Sequence, residues 1–319
     1  MPHGKSPKHT RKPHKKRAVR PEVTAKARPR QKMRTASTGE VGHVDLGGSV
    51  RLQKLLAGAG FGSRREVEQF MVEQRVTVNG RLANLGDRAD PSVDDIRLDG
   101  ERLVREKPSY WIINKPRGVV TTVRDEEGRR TVIDLLPRNV GRVFPVGRLD
   151  RETSGLLLLT NDGDTAYALL HPSLGNEREY KVSVKGELDE RAIERLQKGV
   201  PLEYGRTAPG RVSGVRFDSD SGNSSFSLVL VEGRKRQIRR SLLILGFPVR
   251  RLVRVRIGPL RLGRLAVGEA RPLRAEERRT LLAHVARLRD RDGRSTKPAR
   301  KSAPRRPQRT ARSRKGTRK

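Results

Sequence analysis

A chain of 319 residues with a formal net charge of +36 is long enough for two domains and basic enough to seek a polyanion, either nucleic acid or an anionic membrane. The absence of cysteine removes disulfides, thiolate nucleophiles, iron–sulfur clusters and cysteine-type zinc sites. No run of about 18 apolar residues marks a membrane span, and no apolar h-region marks a secretory signal. The economical reading is a cytoplasmic protein that binds nucleic acid and not a membrane.

The charge is concentrated at the ends. Residues 1–38 carry 13 lysines and arginines against Glu22 alone, and residues 295–319 carry 11 with no acid, which leaves a net +13 between them. Residues 1–48 and 292–319 lack the apolar surface that offsets ordering entropy, so both are expected to be disordered basic tails. Charge runs of this kind hold phosphates without reading bases.

Residues 49–106 read as a compact α+β module. Leu52, Leu55 and Leu56 recur at helical spacing. Ser63 and Glu66 form the S-x-x-E capping box of a second helix, whose apolar positions are Val67, Phe70 and Met71. "RVTVNG" alternates like a strand and stops at the Asn79-Gly80 turn, and "DDIRLDGERL" reads as another short strand and turn. Arg51, Lys54, Arg64 and Arg65 fall on the polar sides of the helices and give the module a basic face.

Residues 107–291 intermix strands and helices. "YWIIN", "GLLLLT", "EREYKVSVKG", "SSFSLVLVEG" and "VRRLVRVRIG" read as strands. "TVIDLL", "DTAYALLH", "LDERAIERLQKG", "KRQIRRSLLILG" and "RAEERRTLLAHVARL" read as helices, the third capped by Asp189 and stopped by Gly199. No regular βαβ repeat and no glycine-rich phosphate loop occurs. The expected class is α+β, a mixed and mainly antiparallel sheet flanked by helices.

Within "VGRLDRETSGLLLLTNDGD", Asp150 lies between Arg148 and Arg151, just before a turn and a buried-looking strand. A cation nearby favours the ionised carboxylate. Such a group serves as a nucleophile or stabilises an oxocarbenium-like centre in glycosidic cleavage. On spacing alone a helix cap or a structural salt bridge remains the commoner role.

The longer pattern goes further. R-L-x-K-L-L, S-R-R-E and V-x-V-N-G, over roughly 50–103, resemble an S4 RNA-binding domain, whose basic helical face meets folded RNA. Gln74 stands where that family usually has a glycine in a left-handed helix cap. "NKPRGVV", "GRLDRETSGLLLLTNDGD", "HPS" with "EREYKV", "EGRKRQIRR" and "RIGPLRLG" resemble, in order, the S4-containing pseudouridine synthases of the RsuA/RluB family. The likeness spans about 50–288.

The resemblance implies isomerisation of uridine in RNA, with no cofactor and no metal. It places the nucleophilic carboxylate on Asp150, the active-site tyrosine on Tyr180, and an arginine that pairs with the aspartate on Arg239. Arg148, Arg236 and Arg240 are expected at phosphates. Lys115 is expected either along the RNA path or at the strand–turn junction. "HPS", "EREY" and the basic tail look most like the RluB type, which acts on large-subunit (23S) ribosomal RNA or a pre-ribosomal particle. The alternatives are the same chemistry on small-subunit RNA, or a non-catalytic ribosome-assembly factor that binds RNA.

Overall fold

The computed structural model describes residues 48–295, with side chains as far as Arg291. Most of both expected basic tails therefore lies outside the described residues. The last helix, Ala275–Ser295, runs past the expected tail boundary at 292. Leu281, Val285 and Leu288 bury one stripe of it in the core, and Glu276 and Glu277 suit the positive end of its dipole.

The first module holds the helices Leu52–Gly58 and Arg64–Val72 against the sheet strands Arg81–Leu82, Val76–Val78, Ile96–Leu98 and Glu101–Arg102. Ser63 and Glu66 close the expected capping box, each side chain bonding the other's backbone N–H. Leu52, Leu56, Val67 and Met71 pack with Val76, Ile96 and Leu98 into one core. Gln74 does adopt a left-handed backbone, with φ of 56°, where glycine is the unstrained residue.

The second module is built on a nine-stranded sheet. Its main order is Arg211–Asp218, Asn223–Leu230, Arg178–Lys185, Val249–Ile257, Ser154–Thr160, Tyr110–Lys115 and Ala270–Pro272. Neighbours along this path are antiparallel except at one seam, where Val253 and Arg254 run parallel to Ser154 and Gly155. The unbroken run from Leu156 to Leu159 has a simple cause. Leu156 and Leu158 face the core under the last helix, while Leu157 and Leu159 face a second core with Ile113, Val119, Val132 and Val143. A strand covered on both faces has no polar side to alternate with.

On the other half of the sheet, Val182, Val184, Phe226 and Leu228 pack with Ala192 and Leu196 of the helix Glu190–Lys198 and with Ile238 and Leu242 of the helix Gln237–Ile244. Asp189 caps the former helix by accepting from Ala192 N at 2.7 Å. Two local expectations change. "TVIDLL" makes only the 3-10 turn Ile133–Leu135, because Leu136 precedes a proline and is extended. The edge strand Arg211–Asp218 was not anticipated; it is exposed over most of its length, so its residues show little alternation.

Candidate active site

Asp150 sits in a turn fixed almost wholly by backbone contacts. Thr153 N donates to Asp150 O at 3.0 Å. The segment after the Tyr110–Lys115 strand pins the residues around it. Thr121 Oγ1 donates to Leu149 O at 2.8 Å, and Gly118 N donates to Arg151 O at 2.8 Å. Lys115 Nζ donates to Thr153 O and to Pro116 O, each at 2.9 Å. The Asp150 side chain caps nothing, and its carboxylate has no hydrogen-bond or ion-pair partner among the described residues.

This geometry overturns one of the two readings of Lys115. The residue is 0% exposed, so its ammonium cannot meet an RNA phosphate. It ties the strand–turn junction beneath Asp150. Burial pushes its pKa down from the usual 10.5 to about 8, against the pull of Asp150 and Glu152. An unfolded lysine keeps its proton up to about 10.5, so between about pH 8 and 10.5 the unfolded chain binds more protons and stability rises with pH. Lys115→Met should remove that rise. The stability difference between wild type and variant should move toward wild type by roughly 2 kcal/mol from pH 7.5 to 10, read by denaturant unfolding. Parallel pH curves for the two proteins would contradict it.

The facing wall comes from the loop 232–236 and the helix Gln237–Ile244. Ile238 and Leu242 are buried, which turns Arg239 and Arg240 outward. Arg236 is not on the helix: it is the residue before it, with a left-handed φ of 53°. The loop is clamped from within. Glu232 Oε1 accepts from Ala208 N and from Gln237 Nε2, both at 2.7 Å, and Gln237 Oε1 accepts from Arg234 N at 3.0 Å.

Asp150, Tyr180 and Arg239 line one cleft of about 580 Å³, with Arg148, Thr153, Arg234, Lys235 and Arg236 around it. Tyr180 reaches it from the Arg178–Lys185 strand, opposite Leu228 on one side and Arg254 on the other. The cleft straddles the parallel seam, with Asp150 from one half of the sheet and Tyr180 and Arg239 from the other.

The two-pronged Arg239–Asp150 pair is not formed. Arg239 Nη2 donates to Glu152 O at 3.1 Å and to Thr153 Oγ1 at 3.5 Å, and its buried Nε has no partner. Burial, then Arg236, lowers the affinity of this guanidinium for its proton, while Glu152 and Asp150 act in the opposite sense. Arg239 is thus held over the Asp150 turn by the backbone, with a donor to spare. Arg239→Lys keeps the charge but not the fork. We expect kcat to fall roughly tenfold or more, with RNA affinity nearly unchanged. A loss in affinity alone would reassign Arg239 to phosphate contact.

The other expected RNA contacts divide. Arg51, Arg64, Arg65 and Arg148 are exposed. Lys54 is turned toward the second module, where its Nζ lies 2.5 Å from Asp164 Oδ1, so that ammonium is already committed to a carboxylate. Arg236 pairs with Glu152 at 2.8 Å and Arg240 with Glu203 at 2.6 Å, so a phosphate would compete with an acid at each. Thr121, Glu152, Glu232 and Gln237 were missed in the sequence. A carboxylate followed five residues later by glutamine is a faint signal for the loop clamp. Nothing in the sequence marks Thr121. Among the described residues no cluster of acids and histidines suits a metal ion, and no helix is long and apolar enough to cross a membrane.

Comparison with known proteins agrees with this architecture. Residues 50–95 match the S4 domain model, and residues 109–243 match the model for RNA pseudouridylate synthase. The chain is 40% identical over 234 residues to the ribosomal large subunit pseudouridine synthase B of Bacillus subtilis, covering 73% of this chain and 96% of that protein. It is 45% identical over 249 residues to the Pseudomonas aeruginosa protein of the same name, covering 75% of this chain and 63% of that one. A crystal structure of a pseudouridylate synthase superposes with a TM-score of 0.52 at 29% identity, covering 73% of this chain and all of the other. An S4 domain, a shared sheet and a matched sequence through the Asp150 cleft together make this chain a member of the S4-containing RsuA/RluB family of RNA pseudouridine synthases, isomerases that act on RNA.

Proposed function

We propose that the protein converts a uridine of large-subunit (23S) ribosomal RNA to pseudouridine in the cytoplasm, free or within a pre-ribosomal particle, with Asp150 as the nucleophile. The observation that carries this reading is the cleft itself. It sets an unpartnered carboxylate, an aromatic ring and a spare arginine donor on one surface rimmed by basic side chains. The names of the relatives support the choice of RNA.

A uridine in a folded RNA reaches such a cleft only by leaving its stack, and Tyr180 offers the flat surface on which the extruded base rests. Asp150 then promotes cleavage of the N1–C1′ bond. The uracil turns in place, C5 bonds to C1′, the C5 proton leaves and N1 gains one. Substrate and product are isomers, so no redox partner or group donor is consumed and no cofactor is required. The exposed arginines of the S4 domain and the basic ends supply affinity through phosphates. Mapping pseudouridines in ribosomal RNA from cells with and without the gene tests the target. Loss of one large-subunit site is expected. Loss of a small-subunit site would move the substrate, and an unchanged map would favour a binding role.

A further inference from the structure

The hairpin between the short strands Pro201–Leu202 and Gly205–Arg206 presents an aromatic side chain to solvent beside the catalytic cleft. Tyr204, at its two-residue tip, is 76% exposed, more than any other exposed tyrosine or phenylalanine among the described residues. Exposure forfeits the burial energy that an aromatic ring ordinarily contributes. The turn has no need of it, because its backbone is held from elsewhere. Arg234 donates to three successive carbonyls, Tyr204 O at 3.1 Å, Gly205 O at 3.0 Å and Arg206 O at 2.8 Å. Arg234 also lines the cleft that holds Asp150. One side chain thus fixes the hairpin to the rim of the site.

A cation also lies near the ring. The Arg240 guanidinium lies 6.0 Å from its centroid and is itself held by Glu203 at 2.6 Å. Arg206 belongs to the same hairpin and Arg234 is bonded to it, Lys235 and Arg236 follow Arg234 along the rim of the cleft, and the acids Glu203, Glu232 and Glu152 are each engaged by an arginine. An outward aromatic face on this basic rim suits a nucleobase whose phosphates meet Lys235 or displace the acids from Arg236 and Arg240. Stacking on such a face tolerates any base and is worth most for one that is unpaired.

We propose that Tyr204 is a stacking platform for an unpaired nucleotide flanking the target uridine, a second base subsite that holds the RNA while the target is extruded into the cleft. The inference rests on the proposed RNA substrate. It adds a positioning role for a residue outside the chemistry.

The test uses the full chain and a large-subunit RNA fragment on which the wild-type protein forms pseudouridine. Tyr204→Ala should raise KM about tenfold or more. Its kcat should change less than twofold, and its unfolding midpoint should not move, since the ring packs on little. Tyr204→Phe should stay near wild type. Abasic substitution of the flanking nucleotides, one at a time, should erase the difference between wild type and Tyr204→Ala at one position. An alanine variant with wild-type KM, or a raised KM that no abasic position equalises, would overturn the subsite. Failure of the wild-type protein to modify any ribosomal RNA would instead overturn the proposed substrate.

Discussion

Asp150→Asn should reduce pseudouridine formation to background while leaving the fold and the RNA affinity in place. The structure separates these effects because the carboxylate makes no hydrogen bond or ion pair among the described residues and acts on Lys115 and Arg239 only through space. The turn is held through Asp150 O, Leu149 O, Arg151 O and Thr153 O, all main-chain atoms that asparagine retains. Stability should change by no more than about 0.5 kcal/mol, the usual range for a side chain without packing or pairing duties. The amide also removes one negative charge from a basic cleft, so RNA affinity should hold or rise. Had Asp150 been a helix cap or an ion-pair partner, the pattern would reverse, with about 1 kcal/mol of stability lost and turnover still measurable.

Gly155→Ala should be the most damaging substitution to the fold at the site. Gly155 has φ of 108°, which side-chain-bearing residues rarely adopt, and a Cβ there would stand 2.2 Å from Arg254 O and 2.6 Å from Arg254 N. Backbone cannot yield as a flexible side chain can. Its partner Arg254 is also fixed across the seam, donating from Nε to Leu156 O at 2.8 Å. Relief requires the two parallel strands to part where they join the halves of the sheet. We expect a loss of about 3 kcal/mol or more, seen as a lowered unfolding midpoint. Activity should fall as well, because Asp150 and Tyr180 approach the cleft from opposite sides of this seam. An alanine variant of wild-type stability would show that the strands yield more easily than their contacts imply.

How far the sequence foretold this structure depends on how local each cause is. Ser63 with Glu66, and Asp189 before its helix, act within a few residues, and both caps form where expected. The leucines at 156–159 marked a buried strand by hydrophobicity alone. Gly155 read only as the first residue of that strand, because the reason for glycine there is Arg254, about a hundred residues further along. Lys115 read equally well as an RNA contact, because lysine is seldom fully buried. Only the fold shows two carbonyls converging on its ammonium. The family resemblance brought Asp150, Tyr180 and Arg239 to notice as a set, and the structure places all three on one cleft. It also shows that Arg239 is anchored to the turn and not to the carboxylate.

The account turns on Asp150 acting on uridine, and release of tritium from C5 of uridine-labelled large-subunit RNA follows that reaction directly. The wild-type protein should release tritium in step with pseudouridine formed. Asp150→Asn, folded and RNA-bound to the same extent, should release none above background. Sustained release by the folded variant would contradict the assignment and remove Asp150 from the chemistry.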